Sequence, residues 1–314
     1  MKKVYITDYI NNPEIERNIL KDNLTLTQSN SIEVVLVWHK KIDKKFIDSM
    51  PKLKGIIRYG VGFDNIDVKY ANSKDIYVCN TPDYGIDEVS DTALAMILNI
   101  SRGITEYDYF SRTYTDTWQE NTNPRIKRTS EYNLGIIGAG RIGGSVLIKA
   151  KTIGFRTVFF DPYKPRGYEK MIGSKRLENL NELLNTCDII SVHTPLNNET
   201  KGMINKKFIS EIKHGGSLIN TARGKLLNNL DDLYKPLKSK KISSVALDVL
   251  PYEPAIDSKL VDAWRNREKW INGRLIINPH TAYYSISAYK EMRTKAASNA
   301  LRIISGLSPL NKIY

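Results

Sequence analysis

The stretch Leu134-Gly-Ile-Ile-Gly138-Ala-Gly140-Arg141-Ile142-Gly143 constrains the fold more than any other segment of the chain. Its glycines have the spacing G-x-G-x-x-G, and its surroundings matter as much as the glycines. An apolar run, Leu134 to Ile137, leads in as a buried strand does. A helix-compatible run, Arg141 to Ile153, leads out and stops at Gly154. A second strand, Thr157 to Phe160, comes next and ends on Asp161. Strand, glycine turn, helix, strand and terminal acid are the parts of a dinucleotide-binding unit. Gly138 permits the tight turn, Gly140 lets backbone N–H groups approach a pyrophosphate, and Gly143 lets the helix lie close to the sheet. The helix N-terminus adds a partial positive charge facing the anion. Asp161 can accept hydrogen bonds from a ribose diol and would repel a 2′-phosphate. The expected cofactor is therefore NAD rather than NADP, a preference that nearby Lys164 and Arg166 could soften.

From Leu134 onward the apolar runs recur as Leu134–Ile137, Thr157–Phe160, Asp188–Val192, Ser217–Asn220, Ser244–Val249 and Leu275–Asn278, with helix-compatible segments between them. Strands alternating with helices predict a doubly wound parallel sheet. The N-terminal part alternates in the same way, with runs at Lys3–Ile6, Glu33–Trp38, Gly55–Tyr59 and Ile76–Cys79, and reads as a smaller α/β domain. Glu88 to Arg102 has apolar residues at helical spacing and carries the chain from one domain to the other. Ser111 to Asn133 is polar, contains Pro124 and reads as loop or surface. A last helical pattern starts at Ser285 and stops at Gly306. It has no place in the six-strand unit, so it is expected to return to the first domain and make that domain discontinuous.

A chain of 314 residues is long enough for two such domains, each with its own core. The longest apolar stretch, Ala93 to Ile100, is too short to span a bilayer and contains Asn99. Met1 to Asp8 has two lysines but no apolar core of signal-peptide length. Cys79 and Cys187 stand far apart, outside any metal-ligand spacing, so no metal is expected. They read as buried thiols of a reducing compartment, which points to the cytoplasm. The net charge of +13 is spread along the chain, in short runs such as Lys238-Ser-Lys-Lys241, and no nucleic-acid motif accompanies it. A lysine-rich surface that attracts anionic ligands is the simpler reading.

In doubly wound folds ligands sit beyond the carboxyl ends of the strands, so reactive residues are sought there. His39 and His214 lie in polar, solvated contexts, whereas His193 and His280 each end a strand of the nucleotide domain. Arg223 follows the fourth strand, Glu253 follows the fifth and His280 the sixth. Taken singly, each has a structural explanation: an ion pair, a loop carboxylate, a satisfied histidine. Taken together they suit reduction of a 2-oxo acid, which needs a hydride at carbon, a proton at oxygen and a cation for the carboxylate. Arg223 can grip a carboxylate through two parallel hydrogen bonds. His280 can supply the proton. Glu253 can hold the imidazole and favour its protonated form, an attraction on the order of 4 kcal/mol at about 4 Å in a medium of effective dielectric 20, before desolvation.

The chain resembles the D-2-hydroxyacid dehydrogenase family over nearly its full length. The motifs that carry the resemblance are Arg58-Tyr-Gly60-Val61-Gly62-Phe-Asp64-Asn-Ile-Asp67, the Gly138–Gly143 loop, Phe160-Asp161-Pro-Tyr163, His193-Thr-Pro195-Leu, Asn220-Thr221-Ala222-Arg223-Gly, Ala246-Leu-Asp248-Val, Glu253-Pro254 and Pro279-His280. Within the family it is most similar to the C-terminal-binding protein branch, through Asp91-Thr-Ala-Leu, Phe160-Asp-Pro-Tyr and His280-Thr-Ala-Tyr-Tyr-Ser285. The resemblance implies a Rossmann nucleotide domain, residues 99–285, inserted into a discontinuous flavodoxin-like substrate domain, residues 1–98 and 286–314, with closure about a hinge. It implies a homodimer acting on a small 2-hydroxy or 2-oxo acid, with Arg223, Glu253 and His280 in the roles just argued. It also implies that Gly138, Gly140, Arg141, Ile142, Gly143, Asp161, Pro195, Thr221, Ala222 and Asp248 meet the cofactor, with Asp248 near the nicotinamide carboxamide. The substrate would meet Arg58, Tyr59, Val61, Gly62 and Tyr283. Val61 and Tyr283 depart from the branch, which often has a hydroxyl residue and a tryptophan there. The end of the chain soon after Gly306 leads one to expect neither a regulatory domain nor a long tail. A second reading is a scaffold that binds NAD(H) and recruits other proteins, with little turnover.

Overall fold

The structure, a computed structural model, describes residues 3–314. Met1 and Lys2, which belong to the segment without signal-peptide character, lie outside the described residues. The chain forms two compact units, one from Met1–Gly85 with Tyr284–Tyr314 and one from Ile86–Tyr283.

The first unit begins with β1 (Val4–Ile6), α1 (Glu14–Leu20), β2 (Leu24–Thr25), β3 (Val34–Val37), α2 (Lys44–Asp48), β4 (Gly55–Arg58), α3 (Val68–Asn72) and β5 (Tyr77–Cys79). The second unit opens with α4 (Ile86–Arg102) and α5 (Ile104–Ser111). It continues through β6 (Asn133–Ile137), α6 (Arg141–Ile153), β7 (Arg156–Phe160), α7 (Tyr168–Ile172), β8 (Lys175–Arg176), α8 (Leu180–Thr186) and β9 (Ile189–Val192). It closes with α9 (Lys206–Glu211), β10 (Gly216–Asn220), α10 (Tyr234–Lys238), β11 (Ile242–Leu247), α11 (Lys259–Arg265) and β12 (Leu275–Ile277). The chain then returns to the first unit as α12 (Ile286–Ile304) and β13 (Lys312–Ile313).

In the second unit the sheet runs β12-β11-β10-β9-β6-β7-β8, every neighbour parallel. The order reverses at β6, the strand that feeds the glycine loop, and such a reversal opens a crevice at the carboxyl edge. Strands buried on both faces read as continuous apolar runs, and β9 (Ile-Ile-Ser-Val) and β11 (Ile-Ser-Ser-Val-Ala-Leu) do so with only serine to interrupt them. In the first unit the order is β13-β5-β4-β3-β1-β2, flavodoxin-like with an antiparallel strand, β13, added at one edge. Both sheets match the expected fold class. The sequence reading lacked β2, β8 and β13, each of two residues.

The division between units differs from the boundaries at 98/99 and 285/286. It falls at 85/86 and 283/284, so all of α4 belongs to the nucleotide unit. The reason is packing: Ala93, Met96 and Ile97 of α4 share one buried cluster with Val146, Leu147 and Ala150 of α6. Lys149 adds bonds from α6 to Ser90 and Asp91 of α4, at 2.8 and 2.7 Å. The last helix does return to the first unit. Ser285 caps it by accepting from Ala288 N at 2.9 Å, where the pattern predicted its start.

The first unit is also held by a buried ion pair that periodicity does not show. Glu16 of α1 is fully buried and pairs with Arg293 of α12, which donates from Nε at 2.9 Å and from Nη2 at 2.5 Å. The Tyr59 hydroxyl donates to the same carboxylate at 2.9 Å. Both cysteines are buried, and desolvation pushes each thiol up to about 11. No helix among the described residues is long and apolar enough to cross a membrane.

Candidate active site

The glycine loop joins β6 to α6. Gly138 has φ +88, a left-handed turn that L side chains rarely adopt. A Cβ on Gly143 would lie 2.0 Å from the Gly138 carbonyl oxygen, so the helix starts where only glycine fits. A Cβ on Gly140, by contrast, would meet nothing within 4 Å, so the loop's outer face is open. Gly140 is the N-cap, no side chain caps the helix, and no hydrogen bond within the described residues uses the N–H of Arg141 or Ile142. Open amides at the start of a 13-residue helix form an anion site. Tyr168 steadies the loop, its hydroxyl donating to Ala139 O at 2.8 Å. Sequence reasoning missed this residue, since its contact lies 29 positions away.

Asp161 follows β7 and leans back on the loop. Its Oδ2 accepts from Ala139 N at 2.9 Å and its Oδ1 from Tyr163 N at 3.0 Å. Each carboxylate oxygen keeps a second acceptor site, which a ribose diol can use. Thr221, just after β10, has a buried hydroxyl oxygen without a hydrogen-bond partner among the described residues. A buried hydroxyl oxygen left over at the carboxyl edge of the sheet that bears the glycine loop suits a polar ligand. The residues fit a dinucleotide. Pro195 is exposed beyond β9, and Ala222 is half-buried beyond β10.

Three loops beyond neighbouring strands carry the reactive set. Asn220 shapes the β10 loop: its Oδ1 accepts from Ala222 N at 3.0 Å and its Nδ2 donates to Arg223 O at 2.9 Å. Arg223 Nη1 donates to Ala222 O at 2.7 Å, which bends the guanidinium back over its own loop. At Gly224 a Cβ would lie 1.8 Å from Leu250 O, so the Arg223 loop lies backbone to backbone against the loop after β11. That second loop holds Glu253, whose Oε1 accepts from Leu250 N at 2.8 Å. Glu253 Oε2 meets His280 Nδ1 at 2.8 Å. His280 sits at φ +56, a conformation a histidine adopts only where its surroundings enforce it.

Asp248 is what enforces it. Its backbone oxygen accepts from His280 N at 2.8 Å, and its carboxylate accepts from Thr281 N and Ala282 N at 3.0 to 3.1 Å. Burial dominates its titration and pushes its carboxyl above the usual range. The carboxylate expected near a nicotinamide is thus directed at the histidine turn. Of the two histidines open at first, His193 lies behind the glycine loop, its Nε2 bonded to Ser191 Oγ at 2.8 Å, and burial pushes its imidazole down to about 4.

In the first unit, Arg58 ends β4 and the turn Tyr59-Gly-Val61-Gly62 follows. Here the expectation for Tyr59 is corrected. Its ring is fully buried, its hydroxyl is spent on Glu16, and its N–H donates to Val37 O at 2.8 Å. It is a core residue because the Glu16–Arg293 pair needs a further donor. Gly60 N is spent on Thr81 Oγ1 at 2.6 Å. No hydrogen bond within the described residues uses the N–H of Val61 or Gly62. Asn80 Nδ2 fixes this turn by donating to Val61 O at 2.7 Å. Tyr283, half-buried, ends the second unit.

The family model for "D-isomer specific 2-hydroxyacid dehydrogenase, NAD binding domain" matches residues 94–282. C-terminal-binding protein 1 of Caenorhabditis elegans is 29% identical over 319 residues, 94% of this chain, which spans 42% of that relative's length. A Staphylococcus haemolyticus protein that bears the name of a 2-hydroxyacid dehydrogenase is 31% identical over 326 residues, 98% of each chain. Among solved structures, D-lactate dehydrogenase from Aquifex aeolicus, complexed with NAD and lactic acid, is 28% identical at a TM-score of 0.84, over 97% of this chain and 96% of that one. The chain therefore belongs to the D-isomer-specific 2-hydroxyacid dehydrogenase family, NAD-binding oxidoreductases that act on the CH–OH group of 2-hydroxy acids.

Proposed function

We propose that the protein interconverts a 2-oxo acid and a D-2-hydroxy acid, with His280 as the acid and base, Glu253 supporting it and Arg223 holding the substrate carboxylate. The observation that carries this reading is the 2.8 Å contact between His280 Nδ1 and Glu253 Oε2 on loops that Asp248 and Gly224 lock together. A nicotinamide cofactor, when bound, would supply or take up the hydride at substrate C2. Glu253 engages Nδ1, which leaves Nε2 to address the substrate. In reduction Nε2 gives its proton to the carbonyl oxygen; in oxidation it takes the hydroxyl proton. Arg223, as a fixed planar cation, binds the carboxylate and orients C2. Within the first unit, the N–H groups of Val61 and Gly62, with Arg58, are the donors suited to a substrate carboxylate. The Arg141 and Ile142 amides would hold the cofactor's pyrophosphate, and Asp161 would hold the adenosine ribose and disfavour a 2′-phosphate.

The segment from Ile104 to Trp118 supports a homodimer. Phe110 stacks on Tyr114 at 6.4 Å between centroids, Tyr114 meets Trp118 at 6.5 Å, and Trp118 is 65% exposed. An aromatic surface of this kind suits burial against a second copy. The two buried thiols suit the cytoplasm. The test is steady-state assay of the purified protein with NADH and a panel of 2-oxo acids. His280→Ala lowers kcat by about 10²- to 10⁴-fold. Absence of turnover with every acid in the panel sinks the enzymatic reading and favours an NAD(H)-binding scaffold.

A further inference from the structure

The carboxyl edge of the first unit's sheet carries an aromatic rim that the mechanism above does not use. Tyr9 follows β1 and Trp38 and His39 follow β3, its neighbour in the sheet. One carboxylate ties these two strand ends together. Asp8 Oδ1 accepts from Trp38 N at 3.0 Å, and Oδ2 accepts from His39 N at 2.6 Å and Lys40 N at 3.0 Å. Tyr9 adopts φ +63, a left-handed conformation that turns its ring onto the neighbouring loop. The Tyr9 and His39 ring centroids are 4.7 Å apart, tilted by 57°. His39 stacks on Trp38 at 6.0 Å and 23°. From α12, Tyr289 meets Trp38 at 5.8 Å and Tyr284 meets Tyr289 at 6.1 Å.

The rim has a dry floor and an open top. Trp38 is 8% exposed, whereas Tyr9 is 70% and Tyr284 55% exposed. One exposed ring, Tyr9, meets the buried indole at 6.3 Å and the other, Tyr284, reaches it through Tyr289, which together present an apolar face that folding alone does not require. The rim is also fixed to the loop that follows the Val61-Gly62 turn. Asn65 Nδ2 donates to Trp38 O at 3.2 Å and to Lys40 O at 2.8 Å, and Ile42 N donates to Asn65 O at 2.8 Å. Trp38 also meets Tyr59, which opens this turn, at 5.8 Å, so a carboxylate held at the Val61 and Gly62 amides lies on the same sheet edge as these rings.

We infer that this rim selects 2-oxo acids with a bulky aromatic side chain, which makes arylpyruvates the substrate class of the site. The inference rests on the dehydrogenase reading above. Tilted rings five to six ångströms apart receive another ring edge-on or offset, the arrangement aromatic groups favour. Glyoxylate has no side chain to place there, and pyruvate has only a methyl group.

The test compares kcat/KM for phenylpyruvate, pyruvate and glyoxylate, with NADH and the full chain. The wild type favours phenylpyruvate over glyoxylate by about tenfold or more. Tyr9→Ala and Tyr284→Ala each lower that ratio about tenfold, and Tyr9→Phe preserves it. Both tyrosines are exposed, so truncation spares the core, and with two variants the loss of one to misfolding leaves the other to read. A glyoxylate preference in the wild type, or a ratio that neither alanine variant moves, overturns the rim. Those results differ from failure of the dehydrogenase reading itself, in which none of the three acids is reduced.

Discussion

Two turns in this molecule begin alike and end differently. The turn after β6 and the turn after β4 each succeed a buried parallel strand, and each contains a left-handed glycine, Gly138 at φ +88 and Gly60 at φ +108. After the first, the chain enters a 13-residue helix at once. After the second it runs through an irregular loop before the five-residue α3. A long helix brings a dipole and a cluster of uncommitted amides, which suits a diphosphate. The second turn brings two amides, enough for one carboxylate. In the function proposed above, the same local device serves two anions of different charge, and the segment downstream of the glycines decides between them.

Removing the cation sharpens this comparison most. Arg223→Ala lowers kcat/KM for the oxo acid by about 10²- to 10³-fold, while NADH fluorescence titration returns a near-normal Kd. Lost NADH affinity in that variant would mean the β10 loop has misfolded. Next, the two turns are set against each other. Gly143→Ala puts a Cβ 2.0 Å from the Gly138 oxygen and weakens NADH by about a hundredfold. Gly60→Ala faces the flexible Arg58 guanidinium at 3.1 Å, the Tyr84 hydroxyl at 3.4 Å and the strain of φ +108, and raises KM for the oxo acid about tenfold. Equal damage to NADH binding by both breaks the comparison. Asp161→Ala lowers the preference for NAD over NADP by about tenfold, read as a ratio of kcat/KM values; an unchanged ratio removes Asp161 from the ribose.

The smallest effect belongs to His193. Its folded-state value of about 4 lies below the ordinary 6.5, so above pH 6.5 folded and unfolded chains both hold it neutral. As pH falls from 6.5 towards 4 the unfolded chain takes up the proton first, and stability is lost, by at most about 3 kcal/mol. His193→Gln flattens melting temperature against pH in that window. An unaltered slope would locate the acid sensitivity elsewhere.

The nucleotide unit was legible because its signals are local. The loop, the strand before it, the helix after it and Asp161 all fall within 28 residues, from Leu134 to Asp161. Arg223, Glu253 and His280 were legible as residues at strand ends, but the lock between their loops was not. Gly224 reads as an ordinary turn glycine until Leu250 is seen against it. Two-residue strands such as β2 and β8 are too short for any alternation to show. Tyr59 was misread because its partner, Glu16, lies 43 positions away and glutamate is rarely buried. The boundary inside α4 was misplaced because helical periodicity shows that a face is buried without naming the neighbour that buries it.

The Glu16–Arg293 pair has a consequence for biosynthesis. Its halves are separated by 277 residues, so a ribosome finishes the whole nucleotide unit before the arginine emerges. Until then the glutamate has no guanidinium to meet it, and an unmatched carboxylate resists being enclosed. The buried pair that closes the core of the first unit is therefore completed only when the final helix arrives.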